Sequence, residues 1–281
     1  MTAGAEPPPA QSALRRCVAN VGTAAALLTR KPYIYRPQGW LPPPRELAVA
    51  AAVVLALFLL GMIFVDAQTT AAVLRMPAWV AKFFDAITDY GKSGYFLWPL
   101  GLLFLFLCAL PPILPRMQRL VLATIMVRIG FLFVAIGAPS LFDTIIKRMI
   151  GRARPMTITG HPDPYLFSPF AWSNAYASLP SGHATTAFAV LVAFSTLWPR
   201  TRTVFLIYAL LIAASRIVVT AHYPTDVAAG ALVGTVGALM VRRWFALRRL
   251  GASISADGVL HVYPGPSRQR VKAVARGLLA D

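Results

Sequence analysis

The chain has 281 residues, 57% of them hydrophobic and only 13% charged, with a formal net charge of +17. Apolar residues gathered into long runs exclude an ordinary soluble domain and place the chain among membrane proteins. Most of the positive charge lies at the ends of those runs, so it reads as bilayer orientation and attraction to anionic headgroups, and nucleic acid is set aside as a partner.

In chain order, residues 1–46 form an N-terminal tail with a Pro-rich start. Leu14, Val18, Val21, Ala25 and Leu28 then recur at helical spacing beside Arg15 and Arg16, which predicts a helix lying on the inner membrane surface. Tyr33, Tyr35 and Trp40 with Pro42, Pro43 and Pro44 read as an interfacial approach to the first span. That span, 47–65, carries no charge. It lacks a small-residue cleavage site and is expected to stay in the mature chain. Trp79, Phe83 and Ile87 come every four residues after Pro77, so an amphipathic anchoring helix is expected on the outer surface. Spans follow at 95–113 and at 120–146, the latter with Arg128 and Asp143. Three shorter ones, at 183–197, 203–219 and 226–240, are bounded by polar residues, and two of them start inside polar motifs. The expected fold is therefore an all-α, polytopic membrane protein: a six-helix bundle over residues 47–245, with a polar, basic tail over 246–281. Cys17 and Cys108 are read as structural, and no disulfide or metal site is expected from them.

Basic residues orient the bundle, because short cytoplasmic loops are enriched in Lys and Arg. Arg30, Lys31, Arg36 and Arg45 precede span one, Arg116 and Arg119 separate spans two and three, Arg200 and Arg202 separate four and five, and Arg242, Arg243, Arg248 and Arg249 follow six. Both tails are then cytoplasmic. Lys147, Arg148, Arg152 and Arg154 break the rule on the opposite side, and an anion-binding site there accounts for the exception. In a bacterium the membrane would be the inner one, with the site on its extracytoplasmic side.

Three polar segments supply the chemistry. Lys147 ends the third span, with Asp143 one turn earlier to fix its ammonium, and Arg154 follows beside Pro155, which is expected to stop the helix. Arg suits bidentate contact with phosphate oxygens, and Lys acts as a point charge. Pro180, Ser181, Gly182 and His183 open the fourth span: Ser181 can cap the helix, Gly182 lets an oxygen approach the backbone, and His183 stands ready to protonate a leaving group. Arg216 lies near the end of the fifth span, where a charge implies a partner such as phosphate. Asp226 follows His222 at i+4. If it accepts the Nδ1 proton of His222, Nε2 is free to attack phosphorus; taken alone, the pair reads equally as a capping acid and an interfacial imidazole. All three segments fall on the outer side. Cations and helix N–H groups already meet the charge of a phosphate, so neither metal nor cofactor is expected.

These residues resemble the type 2 phosphatidic acid phosphatase (PAP2) superfamily, whose pattern is K-x6-RP, then PSGH, then SR-x5-H-x3-D. Lys147, Arg154, Pro155, Pro180, Ser181, Gly182, His183, Ser215, Arg216, His222 and Asp226 match every fixed position. The resemblance implies a phosphohistidine on His222, acid catalysis by His183, and phosphate held by Lys147, Arg154, Ser181, Gly182 and Arg216. It implies a membrane lipid phosphate monoester or diphosphate as substrate, with phosphatidic acid, phosphatidylglycerol phosphate, an isoprenoid phosphate and lipid A all open. Vanadium haloperoxidases share such a pocket but are soluble. A phosphotransferase serving a lipid acceptor, and a non-enzymatic lipid carrier, are the alternatives. Oligomeric state and the roles of the tails are not legible.

Overall fold

The computed structural model describes residues 12–33, 42–110, 115–158, 160–255 and 257–279. Tyr35 and Trp40, read above as interfacial, lie outside these residues. Regular structure among the described residues is helical apart from one short hairpin. After α1 (Ala13–Thr29) comes α2 (Pro44–Gly61), which passes through a single π-helical turn, Met62–Asp66, into α3 (Ala67–Val73). Helix α4 (Ala78–Thr88) starts directly after Pro77, as expected, and a break at 89–93 separates it from α5 (Gly94–Ala109). Then come α6 (Arg116–Ile150), α7 (Gly182–Leu197), α8 (Arg202–Val218) and α9 (Pro224–Leu247), followed by β1 (Ala252–Ile254) paired antiparallel with β2 (Leu260–Val262), and α10 (Arg268–Leu279).

Among the described residues five helical stretches are long and apolar enough to cross a membrane: Pro44–Val73, Ala78–Ala109, Arg116–Ile150, Pro199–Val218 and Pro224–Leu247. Helix α7 is shorter and apolar. It is also the most enclosed element, packed against α6, α8 and α9, and its Ala189, Val190 and Ala193 meet Ile136, Ala135 and Ala238 in the main core. Small residues bring α9 close: a Cβ at Gly230 would stand 2.4 Å from the Ser181 carbonyl oxygen, and one at Gly234 2.2 Å from that of Thr185. This small-x3-small spacing lets two backbones touch where bulkier residues would hold them apart. By contrast α2 buries no residue and presents its Leu and Val side chains outward, as a lipid-facing helix does.

The flanking segments also pack. Asn20 of α1 donates to the Cys108 carbonyl at 2.8 Å, and Leu27 and Leu28 join the core. Val274 of α10 meets Val121 on α6, and Arg128 donates to the Tyr263 carbonyl.

Candidate active site

Helix α6 ends at Gly151, whose φ of 64° is left-handed and whose N–H caps the Lys147 carbonyl. A Cβ there would sit 1.8 Å from the Ser168 carbonyl oxygen, so this position needs glycine twice over. The helix thus stops four residues before Pro155, correcting the expectation that the proline ends it. One turn inside, Asp143 and Lys147 pair at 2.5 Å, and Thr185 of α7 donates to the other Asp143 oxygen at 3.0 Å. This i,i+4 pair is the one anticipated. Lys147 keeps partial exposure and borders, with Gly182 and His183, a cavity of about 200 Å³ that reaches the 91–94 corner.

After Gly151 the backbone runs beside the segment entering α7: Arg154 N–H donates to the Ala175 carbonyl and Ser178 N–H to that of Arg152. Ser181 is the N-cap of α7, but its hydroxyl makes no capping bond, contrary to expectation; Oγ is buried without a partner. At the C-terminus of α8 the chain folds back so that the N–H groups of Ala221 and His222 both reach the Arg216 carbonyl. Arg216 is held from α4, where the Thr88 hydroxyl accepts from Nη1 at 2.6 Å. Thr88 has no motif signature, and α4, expected chiefly to anchor with a lid or substrate-entry role as the alternative, also touches the site.

His222 is buried, and its Nδ1 lies 2.8 Å from the Ser178 carbonyl oxygen. A carbonyl only accepts, so Nδ1 carries the proton and Nε2 keeps its lone pair. Asp226 was expected to take that proton, but its nearer oxygen stands 3.9 Å from Nδ1. Its carboxylate is engaged elsewhere: Oδ1 by Arg152 at 2.6 Å, and Oδ2 by the Ser178 hydroxyl at 2.6 Å and the Tyr223 N–H at 2.9 Å. Asp226 thus acts on His222 through Ser178. Burial first, then the charges of Arg154, Arg216 and Lys147, hold the His222 imidazole well below the ordinary histidine range, so it stands neutral.

Four buried polar atoms here have no hydrogen-bond partner among the described residues: Arg154 Nε, Arg216 Nε, Ser181 Oγ and His183 Nε2. Buried polar atoms are rarely left unmet, and a cluster of them fits a place built for a polar ligand. Three offer protons, and two of these belong to guanidinium groups, so the ligand they suit is an oxyanion. Among the described residues no group of three or more His, Cys, Asp or Glu side chains is placed to hold a metal ion.

Residues 128–250 match the PAP2 superfamily. Lipid A 1-phosphatase of Rhizobium johnstonii is 32% identical over 225 residues, which cover 80% of this chain and 91% of that protein. The chain belongs to the PAP2 superfamily. It is a membrane phosphatase of the PAP2 type. Lipid A 1-phosphatase of Rhizobium etli is 31% identical over 77% of this chain and 92% of its own length. Among solved structures, Aquifex aeolicus LpxE superposes with a TM-score of 0.45 at 22% identity, covering 63% of this chain and 94% of that one. The PAP2 type phosphatidylglycerolphosphate phosphatase of Bacillus subtilis gives 0.45 at 20% identity, over 83% and 95%.

Arg152, counted above among the charges of an anion site, is instead held between Asp226 and Asp66, and three residues of this PAP2 site went unread in the sequence: Ser178, Thr88 and Asp66. Only the last carried a usable signal, an acid directly after the uncharged run of the first span.

Proposed function

We propose that the protein removes the 1-phosphate of lipid A at the outer face of its membrane, through a phosphohistidine on His222. The observation that carries this reading is the set of unpartnered donors on Arg154, Arg216 and Ser181 around an imidazole whose Nε2 is unprotonated. The choice of lipid follows from the two relatives named lipid A 1-phosphatase.

Lys147, Arg154, Arg216 and the Ser181–Gly182 turn hold the phosphate oxygens and neutralise their charge as it shifts. A Cβ on Gly182 would fall 3.0 Å from the Lys147 ammonium and 3.1 Å from Asp143 Oδ2, so glycine lets the start of α7 lie against that pair. Nε2 of His222 attacks phosphorus, the bond from phosphorus to the sugar oxygen breaks, and His183 gives that oxygen its proton. The phosphorylated imidazole becomes cationic, and Asp226 at 3.9 Å balances it. Water, deprotonated by His183, then attacks phosphorus and restores His222 with release of inorganic phosphate.

Purified protein incubated with bisphosphorylated lipid A in detergent micelles should release one phosphate, and mass spectrometry should place the loss at the 1-position. His222→Ala should abolish release. His183→Ala should slow it by about 10²–10⁴-fold, the usual worth of a positioned acid. No release from lipid A alongside turnover of phosphatidic acid or an isoprenoid phosphate would reassign the substrate; release undiminished in His222→Ala would reject the mechanism.

A further inference from the structure

Arg152 lies within the K-x6-RP segment at a position the pattern leaves free, yet it is completely buried. Its guanidinium has five N–H donors, and four are spoken for. Nη1 donates to Asp226 Oδ1 at 2.6 Å and to Thr225 Oγ1 at 2.8 Å, Nη2 to Asp66 Oδ2 at 2.7 Å, and Nε to the Pro164 carbonyl at 3.1 Å. The Tyr223 ring covers it at 4.5 Å from its centroid. So occupied, Arg152 has little left for a phosphate, whereas Arg154 and Arg216 each keep an unmet Nε. Asp66 comes from the π turn of the first span; its Oδ1 accepts the Thr225 N–H and its Oδ2 the Thr225 hydroxyl.

We propose that Arg152 and Asp66 are positioning residues for catalysis: the guanidinium, clamped between two carboxylates, keeps Asp226 ionised and fixed, and Asp226 through Ser178 holds His222 aimed at phosphorus. This rests on His222 being the nucleophile. The chain of contacts runs from Asp66 through Arg152, Asp226 and the Ser178 hydroxyl to the Ser178 carbonyl on Nδ1. Besides Arg152, the charged and titratable groups around Asp226 are His222, Arg154 and Tyr223, the last of which also feels Asp163.

A charge in this position has a sign that experiment can read. Removing a buried cation makes nearby groups bind protons more tightly, and removing a buried anion does the reverse. Arg152→Gln should therefore lower kcat at least about tenfold with KM within about twofold, and move the acid limb of the kcat profile up by about one pH unit. Arg152→Lys should recover part of kcat. Asp66→Asn, nearly the same shape, should move the acid limb down. A tether with no electrostatic role would leave the acid limb of both variants at the wild-type position. Phosphate release from lipid A micelles is one readout. Orthovanadate binding, followed by thermal shift, is the other, because vanadate takes the lone pair of the nucleophile without turnover. Wild-type protein that binds vanadate but does not hydrolyse lipid A would refute the substrate assignment and leave this test standing on the vanadate profiles. Acid limbs displaced in opposite directions support the proposal. Limbs unmoved or displaced together, or KM raised at constant kcat, overturn it. If Arg152→Gln does not purify as a monodisperse protein, Asp66→Asn and Arg152→Lys decide by the same criteria.

Discussion

At His222 the protonation state follows from one contact. Because the Ser178 carbonyl at 2.8 Å accepts the Nδ1 proton, the tautomer is fixed before substrate arrives. Because burial and three cations oppose a second proton, the ring should stay neutral at pH 6.5, the midpoint of ordinary histidine. A bound phosphate reverses part of that balance by neutralising the cations. Nitrogen-15 NMR of labelled protein should show His222 unprotonated at pH 6.5 without ligand, and its midpoint should rise on adding phosphate. A midpoint unmoved by phosphate would separate His222 from the anion site. The motif positions were legible through their resemblance to the family pattern, and the Asp143–Lys147 pair from spacing alone, since i and i+4 meet on any helix. The partner of Nδ1 was not. It is a backbone carbonyl 44 residues upstream, and carbonyls leave no mark on a sequence. Arg152 was hidden differently. Beside Lys147, Arg148 and Arg154 it counts toward an anion site, but Asp66, 86 residues away, folds onto it.

Among the elements, α7 and α9 determine how tightly the site is held, since Ser181 and His183 open one and Asp226 opens the other. Their contact depends on Gly230 and Gly234. Gly234→Ala would drive a methyl group into the Thr185 carbonyl at 2.2 Å, forcing the helices apart at a cost of about 1–3 kcal/mol typical of overpacking. The melting temperature of the purified protein and its turnover should fall together. Gly22→Ala is the matched control: Gly22 is in α1 with open space around it, and the change should stabilise slightly, by about 0.5–1 kcal/mol. Equal effects of the two substitutions would show that helix propensity, not close approach, governs Gly234. The long helices were readable from hydropathy, but the closeness of α7 and α9 was not, because glycine spacing does not say which helix is the neighbour. The start of α4 was legible from Pro77 and the four-residue repeat of apolar residues behind it, whereas the reach of Thr88 to Arg216 required the packed bundle.

For the molecule as a whole, the proposed topology puts the anion site on the face opposite the basic loops. Single cysteines tested for labelling in intact cells, in a background lacking Cys17 and Cys108, should react from outside at Ser173→Cys and only after permeabilisation at Arg200→Cys. The reverse pattern would put lipid hydrolysis on the cytoplasmic face. The first membrane-crossing stretch stands apart in this architecture. Helix α2 buries nothing, and Asp66 at its end gives it a polar tie to the rest of the bundle. That tie has a history during synthesis. Asp66 is made 86 residues before Arg152, so the first helix reaches the bilayer while its counter-ion has yet to be translated. A lone carboxylate within a span is costly, and the guanidinium that meets it comes from the segment just after α6. The newborn chain can therefore close its first helix onto the others only once Arg152 has been made, and every finished molecule carries that contact as a buried ion pair.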